Sequence, residues 1–360
     1  MSQTAKEVNS QELFQVIDHI RSIPHTRGNI IRPLFVWGKP GYGKTEMIRE
    51  YAEQRNLDFI YCAPAQFEEM GDLHGIPEIE NGKTVFRRPS WLPEPTERPG
   101  IILLDDMNRA DPRIIKGFMQ LAQLHELMSW KLPKNYLIIC TGNPDGGEYS
   151  TTMMDSAVMT RFIHVNVQFD KNNWAEWAMR NDIPTECINF VLTYPETITS
   201  GNLTNARTIS SFFRSIADLN PRQDHFRLIE ILGHGLLDPE TVESFIGFLK
   251  NSAERIPEPE VILFSKDTKQ LTEDLRNLLQ DESGVRLDLF STTFNRLMMR
   301  CQQGPVTKVN LENLIALFTI EEIPNDFRTY MAMEFGKLKQ KELLDILTDG
   351  RIGQALLNAA

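Results

Sequence analysis

The chain has 360 residues, a length that predicts two or three domains rather than one. Hydrophobic residues make up 41% and charged residues 24%, the mix of an ordinary soluble globular protein, which excludes a mainly disordered chain. The formal net charge is −11, and both halves of the sequence are acidic, so a role in coating duplex nucleic acid is disfavoured.

Cysteine usage and apolar patterning bear on the location of the protein. The four cysteines are far apart and form no CxxC pair, which argues against a zinc site or a disulfide framework and favours a reducing compartment. The N-terminal sequence MSQTAKEVNSQELF has no apolar segment, and no window approaches the roughly 18 apolar residues of a membrane span. We therefore expect a cytoplasmic protein without a membrane partner.

Short apolar runs alternate with helical patterns from about residue 30 to residue 168. This alternation predicts an α/β fold built on a mainly parallel, five-stranded sheet with crossover helices. The predicted strands are 34–37, 58–62, 100–104, 136–141 and 162–167.

Two further elements are predicted within this region. The stretch IPEIENGKTVFRRP, between the second and third strands, predicts a hairpin insert around an Asn81-Gly82 turn. Residues 111–128 predict a helix, because apolar residues from Ile114 to Met128 recur on one face at helical spacing.

Helical patterns replace strands after residue 170, so the second half is predicted to be mostly α-helical. The predicted helices are 171–181, 185–194, 205–219 and 225–233, with more beyond Asp238-Pro239. The stretch RIPEPE at 255–260 contains two prolines and three charges, which predicts a domain break. We therefore expect three parts, 1–168, 169–256 and 257–360.

The segment GKPGYGKT follows the first strand and has the spacing of a phosphate-binding loop. Its glycines let backbone N–H groups point at phosphates, its lysine reaches the β and γ phosphates, and its threonine hydroxyl ligates Mg²⁺. A glycine turn that merely caps a helix is the alternative, but the strand before and the helix after favour ATP and Mg²⁺ as cofactors. The predicted nucleotide-binding residues are Gly38, Pro40, Gly41, Tyr42, Gly43, Lys44, Thr45 and Glu46.

The segment IILLDDMNRA delivers two acids to the end of a buried strand. Asp105 suits the Mg²⁺ shell together with Thr45, and Asp106 suits the polarisation of an attacking water. An acidic pair that only caps the next helix is the alternative, and the nearby phosphate loop disfavours it.

The ordered series GKPGYGKT, LLDDMNRA, ICTGNP, MDSAVMTRF and TNARTISSFF resembles the MoxR-like branch of the AAA+ ATPases. This group also holds the CbbQ and NorQ activators and the nucleotide domains of McrB and dynein. The resemblance covers about residues 12–220. It implies a P-loop AAA+ domain over 1–168 and a helical lid over 169–256, and residues 257–360 remain a helical extension of unknown role.

The resemblance also implies roles for single residues. Asn143, in the TGNP segment, corresponds to the first sensor, which positions water against the γ-phosphate. Arg161 corresponds to the arginine finger that reaches a neighbouring subunit's nucleotide, and Arg207 to the second sensor. The hairpin around Asn81-Gly82 takes the place of the second-helix insert, and LMSWKLPKNY that of the hairpin before the first sensor.

The resemblance further implies a homo-oligomer, a hexameric ring of identical subunits. Its partner would be a protein client, or an adaptor with a von Willebrand factor A type domain. The sequence departs from the family at Asp106, where a glutamate is usual, and it lacks the aromatic pore motif of protein unfoldases.

Two other functions remain open from the sequence. A nucleic-acid-directed motor of the clamp-loader, helicase or McrB kind uses the same core, although the acidic balance disfavours it. The second open function is a regulatory module that binds nucleotide but hydrolyses it slowly. Asp106 suggests this function because it is one methylene shorter than the usual glutamate.

Overall fold

The computed structural model describes most of the chain, in ranges separated by short gaps. These are residues 5–23, 32–94, 96, 98–144, 152, 154, 156–219, 225–251, 256–281, 284–304, 306, 308–338 and 340–357. The chain divides into two compact units, Met1–Asp170 and Lys171–Ala360. The boundary predicted at 168/169 lies two residues from this division, and the boundary predicted at 256/257 lies inside the second unit.

The first unit is an α/β fold with a six-stranded sheet in the order β1-β10-β2-β9-β6-β3, and every pairing in it is parallel. Its helices and strands are β1 (Lys6–Val8), α1 (Ser10–Ser22), β2 (Leu34–Trp37), α2 (Lys44–Gln54), β3 (Asp58–Cys62), α3 (Met70–His74), β4 (Pro77–Glu80), β5 (Lys83–Phe86), β6 (Gly100–Leu104), α4 (Pro112–Leu124), β7 (Glu126–Leu127), β8 (Trp130–Lys131), β9 (Tyr136–Gly142), α5 (Ser156–Met159) and β10 (Ile163–Val167).

Alternating residues of the sheet enter two apolar cores. Leu34 and Val36 of β2 belong to the cluster that also contains Ile17 of α1 and Ile48 of α2. Phe35 and Trp37 belong to a second cluster, which α4 covers. Successive strand residues point to opposite faces, so helices cover both sides of the sheet and its strands read as unbroken apolar runs.

The predicted five-stranded sheet gains a sixth strand in the structure. β1, with the sequence KEV, pairs with β10 through Lys6↔Val165, Glu7↔Asn166 and Val8↔Val167. Only Val8 of this strand is buried, so no apolar run marks it in the sequence. Pairing with β10, rather than the local sequence, therefore makes this segment a strand, and it lies at the edge of the sheet.

The helix predicted over 111–128 is wrong in its last turn. Asp111 caps α4 by accepting from the Arg113 N–H at 2.8 Å, but the helix ends at Leu124, where His125 takes a left-handed backbone with φ 54°. The chain then forms the short β7–β8 hairpin, and Met128 lies in its turn rather than on the helix. This hairpin occupies the place that the resemblance gave to the hairpin before the first sensor.

The β4–β5 hairpin confirms the turn predicted from Asn81-Gly82. Both turn residues have positive φ, 51° and 72°, and Glu80 pairs with Lys83 across them. Asparagine and glycine adopt this conformation most easily, which explains why the Asn81-Gly82 pair predicts the turn. The Phe86 N–H donates to Ser129 Oγ at 2.9 Å, so the two hairpins of this unit touch.

The second unit is almost entirely helical over its described residues. Its elements are α6 (Lys171–Arg180), α7 (Thr185–Thr193), α8 (Glu196–Ser200), α9 (Ala206–Ser215), α10 (Phe226–His234), α11 (Pro239–Asn251), α12 (Pro259–Phe264), α13 (Thr268–Leu279), β11 (Gln280–Asp281), β12 (Gly284–Val285), α14 (Leu287–Gln303), α15 (Leu311–Thr319), α16 (Asn325–Gly336), α17 (Lys341–Leu344) and α18 (Gly350–Leu357).

The helix α14 is central to the second unit, because buried residues lie all around its circumference. It packs against α12, α13 and α16 of the C-terminal part and also against α6 and α7. The predicted break at RIPEPE falls between these parts, and its first residue lies outside the described ranges.

None of the helices described has both the length and the apolar character of a membrane span.

Candidate nucleotide-binding site

Three neighbouring strands end at the same edge of the sheet and carry the site. The order β2-β9-β6 is continuous within the sheet, and all three strands are parallel. Gly38 follows β2, Asp105 follows β6, and Asn143 follows β9. Ligands of open α/β sheets bind at the carboxyl ends of the strands, and this edge brings together the predicted loop, acids and first sensor.

The phosphate-binding loop has the backbone that its glycines predict. Gly41 and Gly43 have φ of 79° and 78°, a region where other residues are strained. Gly43 is the N-cap of α2, and no side chain in the described part of the chain caps this helix. The first N–H groups of α2 therefore have no side-chain acceptor at the cap, which is the arrangement that binds an anionic group.

Lys44 is the most buried charged residue of the loop, with 6% of its surface exposed. Its Nζ donates to the carbonyl oxygens of Gly38 and Lys39 at 2.7 and 3.1 Å and to Asn143 Oδ1 at 3.0 Å. The positive charge is thus held at the junction of the loop and β9. A lysine in that place can serve as a point charge for phosphate oxygens.

The residues predicted to hold Mg²⁺ lie in direct contact. Thr45 Oγ1 donates to Asp105 Oδ1 at 2.8 Å, and Tyr61 Oη donates to Asp105 Oδ2 at 3.2 Å. Burial and the negative charge of Asp105 raise the pKa of Tyr61, so its phenol keeps the proton that it donates. A hydroxyl and a carboxylate are hard oxygen ligands, and this donor set fits Mg²⁺.

Asp106 lies beside the predicted first sensor. Asn143 Nδ2 donates to Asp106 Oδ1 at 3.1 Å, and Arg109 Nε lies 3.5 Å from Asp106 Oδ2. Because the same Asn143 amide accepts from Lys44, one side chain joins the lysine of the loop to the second acid. The structure thus brings these sequence motifs together, while the catalytic roles of their residues stay predictions.

Other loop residues have more ordinary surroundings. The ring of Tyr42 is mostly buried, with its centroid 6.1 Å from that of Phe169, and burial raises the pKa of its phenol. Glu46 is exposed on the first turn of α2 and lies 3.8 Å from Arg49. Pro40 and Gly41 form the bend of the loop before α2. The contact of Tyr42 and Glu46 with a nucleotide stays a prediction.

Three residues that hold the site together, Thr141, Asn108 and Tyr61, were not singled out from the sequence. The Asn108 side chain donates to the Asn143 carbonyl oxygen at 2.8 Å and accepts from its N–H at 3.2 Å. Thr141 contacts both Asp105 and Asp106. A polar residue at the end of a buried apolar strand is the signal that could have found Thr141.

The two remaining predicted site residues are Arg161 and Arg207. Arg161 lies away from this edge of the sheet, and Arg207 lies in the second unit. Arg161 precedes the amino end of β10, whose register with β2 pairs Ile163 with Leu34. The phosphate-binding loop follows the carboxyl end of β2, so Arg161 lies at the opposite end of the sheet. β10 is not an edge strand, because β1 pairs with its outer side.

The Arg161 side chain donates from one terminal nitrogen to the Ala157 carbonyl oxygen, and its buried Nε has no partner among the described residues. Arg207 is exposed in the first turn of α9 in the second unit. Its N–H donates to Asn205 Oδ1 at 3.0 Å as part of the cap of that helix. The sensor and finger roles of these two arginines stay predictions.

A parallel sheet with a glycine loop at the start of a helix, and with a buried lysine and two strand-end acids beside it, defines a P-loop nucleotide-binding domain. Residues 33–162 match the family described as the AAA domain, dynein-related subfamily. This part of the chain is therefore an AAA+ ATPase domain, which confirms the resemblance at the level of the AAA+ proteins.

Relatives in other organisms match part of the chain. Midasin of Giardia intestinalis is 28% identical over 177 residues, which are 45% of this chain and 4% of that protein. BssE of Thauera aromatica, which carries the name of a putative chaperone, is 26% identical over 149 residues, which are 39% of this chain and 51% of that protein. The chain thus spans about half or less of the length of these two relatives.

Several solved structures that match this chain have little sequence in common with it. A mutant of Thermotoga maritima RuvB is 11% identical, with a TM-score of 0.38, and the match covers 78% of this chain and 85% of that one.

Proposed function

We propose that the protein hydrolyses ATP with Mg²⁺ and, as part of a homo-oligomeric ring, uses this energy to remodel or activate another protein. The observation that carries the proposal is that Asn143 contacts both Lys44 and Asp106, while Thr45 contacts Asp105. One edge of the sheet therefore holds a lysine that can bind phosphate and a threonine–aspartate pair that can bind a metal ion. The same edge holds a second aspartate in contact with the amide of Asn143.

Each residue has a distinct task in this proposal. Lys44 binds the β and γ phosphates, and Thr45 and Asp105 hold Mg²⁺, which when bound neutralises charge that develops on the phosphate oxygens. Asp106 accepts the proton of the attacking water, and Asn143 orients that water. The N–H groups at the start of α2 bind phosphate oxygens.

A protein partner is favoured over a nucleic acid by two observations. The chain is acidic, and a nucleic-acid motor needs a basic surface to recruit phosphate. The MoxR-like order of motifs and the name of BssE support a chaperone or activator role, with a client or an adaptor of the von Willebrand factor A type. We propose a hexameric ring on the same resemblance, and a cytoplasmic location because the cysteines lack disulfide spacing.

Phosphate release by the full chain tests the ATPase proposal. We expect turnover that depends on Mg²⁺. We also expect Lys44→Ala to remove ATP binding in calorimetry, because the positive charge that binds the β and γ phosphates is lost. Lys116→Ala, an exposed lysine on α4, is the matched control. Near-normal ATP affinity of Lys44→Ala would contradict the site.

The same assay distinguishes the other two functions. Neither duplex nor single-stranded DNA should stimulate turnover at moderate salt, and a several-fold stimulation that fades with added salt would favour a nucleic-acid motor. Tight ATP binding without turnover, in the presence and absence of clients, would instead favour a regulatory module.

A further inference from the structure

The hydroxyl of Thr141 contacts both acids of the candidate site. Thr141 is the sixth residue of β9 and is fully buried. Its Oγ1 lies 2.6 Å from Asp105 Oδ1 and 2.8 Å from the backbone nitrogen of Asp106. Leu104 pairs with Cys140 in the ladder between β6 and β9, so the next residues of both strands lie side by side.

The chemistry of the two contacts fixes the direction of each hydrogen bond. A backbone N–H can only donate, so Asp106 donates to Thr141 Oγ1. The single proton of the hydroxyl then goes to the Asp105 carboxylate, which can only accept when it is ionised. The bond to Asp105 is charge-assisted, which agrees with its short distance.

The first contact determines where Asp105 points. Its Oδ1 accepts from Thr141 and from Thr45 together, and its Oδ2 accepts from Tyr61. Thr141 therefore holds the carboxylate against the threonine that is proposed as its partner in binding Mg²⁺. A residue that hydrogen-bonds to a metal ligand in this way orients the ligand without binding the metal itself.

The second contact determines the backbone of Asp106. This residue has φ 48° and ψ 43°, a left-handed conformation that is strained for residues with a side chain. The bond from its N–H to Thr141 helps to hold that conformation. The conformation in turn aims the Asp106 carboxylate at Asn143 and Arg109.

We propose that Thr141 is a positioning residue, whose single hydroxyl sets the Mg²⁺-binding acid and the water-activating acid relative to each other. This inference rests on the proposed ATPase function. Thr141 itself does not contact substrate in this proposal. A valine would fill the same space but could neither donate to Asp105 nor accept from Asp106.

The test compares the parent chain with Thr141→Val, Thr141→Ser and a control, Thr293→Val. Thr293 is similarly buried in α14 of the second unit, and its hydroxyl donates to the Leu289 carbonyl oxygen of its own helix. Each chain is assayed for kcat and KM of ATP hydrolysis. The affinity for a fluorescent ATP analogue is also measured with Mg²⁺ and with EDTA, a readout that does not depend on turnover.

Thr141→Val should lower kcat by about 10- to 100-fold, the usual effect of removing a residue that orients a metal ligand. Its affinity in EDTA should match the parent, because the loop and Lys44 are unchanged, whereas the gain in affinity on adding Mg²⁺ should shrink. Thr141→Ser should regain most of both losses because it keeps the hydroxyl. Thr293→Val should behave as the parent in both assays.

Three results would overturn the proposal: parental kcat and Mg²⁺ response in Thr141→Val, no rescue by serine, or equal losses with Mg²⁺ and with EDTA, which would indicate a general structural defect. If the parent binds the analogue but does not turn over ATP, the proposed function fails. A smaller Mg²⁺ response in Thr141→Val would still support the positioning of Asp105 in that case.

Discussion

Asp106 shows how one residue combines backbone strain with chemistry. Its left-handed backbone is better tolerated by aspartate and asparagine than by longer side chains. The family resemblance leads one to expect a glutamate here, and the backbone gives a physical reason for the shorter acid. The carboxylate still reaches Asn143, at 3.1 Å.

Asp106→Asn should keep nucleotide binding and lower turnover by a factor on the order of 10² or more, as expected when a general base is removed. Asparagine keeps the size of the side chain and tolerates the left-handed backbone, so the fold should be retained. Phosphate release and calorimetry measure the two effects. Asp111→Asn, at the exposed N-cap of α4, is the matched control, because asparagine caps a helix equally well. Unchanged turnover in Asp106→Asn would mean that another acid activates the water.

At the scale of elements, helix α14 joins the two predicted helical parts of the second unit. Thr292 Oγ1 of α14 lies 2.9 Å from Thr193 Oγ1 of α7, in a buried contact. Arg286, just before α14, donates to Tyr194 Oη at 3.3 Å. The predicted lid and the predicted extension therefore share packed and hydrogen-bonded surface.

A chain that ends after residue 256 should lose the amide protection of α7 in hydrogen exchange. Without α14, the buried face of α7 and the Thr193 hydroxyl are exposed to water, and local opening becomes easier. Protection of β9 in the first unit should persist. The full chain, which keeps α14, serves as the control. Full protection of α7 in the shorter chain would mean that the lid folds by itself, in agreement with the three-part division predicted from the sequence.

At the scale of the whole molecule, the proposed ring depends on Arg161. This arginine lies at the amino end of β10, while the phosphate-binding loop lies past the carboxyl end of β2. The four residues of β2 alone span about 13 Å at the rise of a β-strand. Reaching the nucleotide of its own subunit is therefore difficult for Arg161, which supports its proposed role as a finger toward a neighbouring subunit's nucleotide.

Arg161→Ala should bind ATP but lose most of its turnover, since fingers that act between subunits contribute about 10³–10⁵ in other P-loop enzymes. Mixed with Lys44→Ala under subunit exchange, it should regain activity, because some interfaces then pair an intact finger with an intact loop. Arg227→Ala, an exposed arginine on α10, should keep parental turnover. Native mass spectrometry checks that mixed oligomers form. If they form without any recovery, Arg161 acts within its own subunit or in folding.

Local signals in the sequence are enough for the central strands and for the loop. The run LFVW is buried on both faces of the sheet, and it predicts the strand 34–37 with the bounds that the structure has. The Asn81-Gly82 turn and the glycines Gly41 and Gly43 of GKPGYGKT specify positive φ by themselves. Each of these features depends on residues that are neighbours in the chain, so the sequence alone determined them.

Long-range contacts decided the features that the sequence did not reveal. β1 is a strand because β10, more than 150 residues later, supplies its hydrogen bonds. Thr141 became recognisable as the partner of both acids only when the sheet order placed β9 beside β6. The physical reason is the same in each case: a hydrogen bond between residues far apart in the sequence leaves no periodic or local pattern, and tertiary structure alone brings its two ends together.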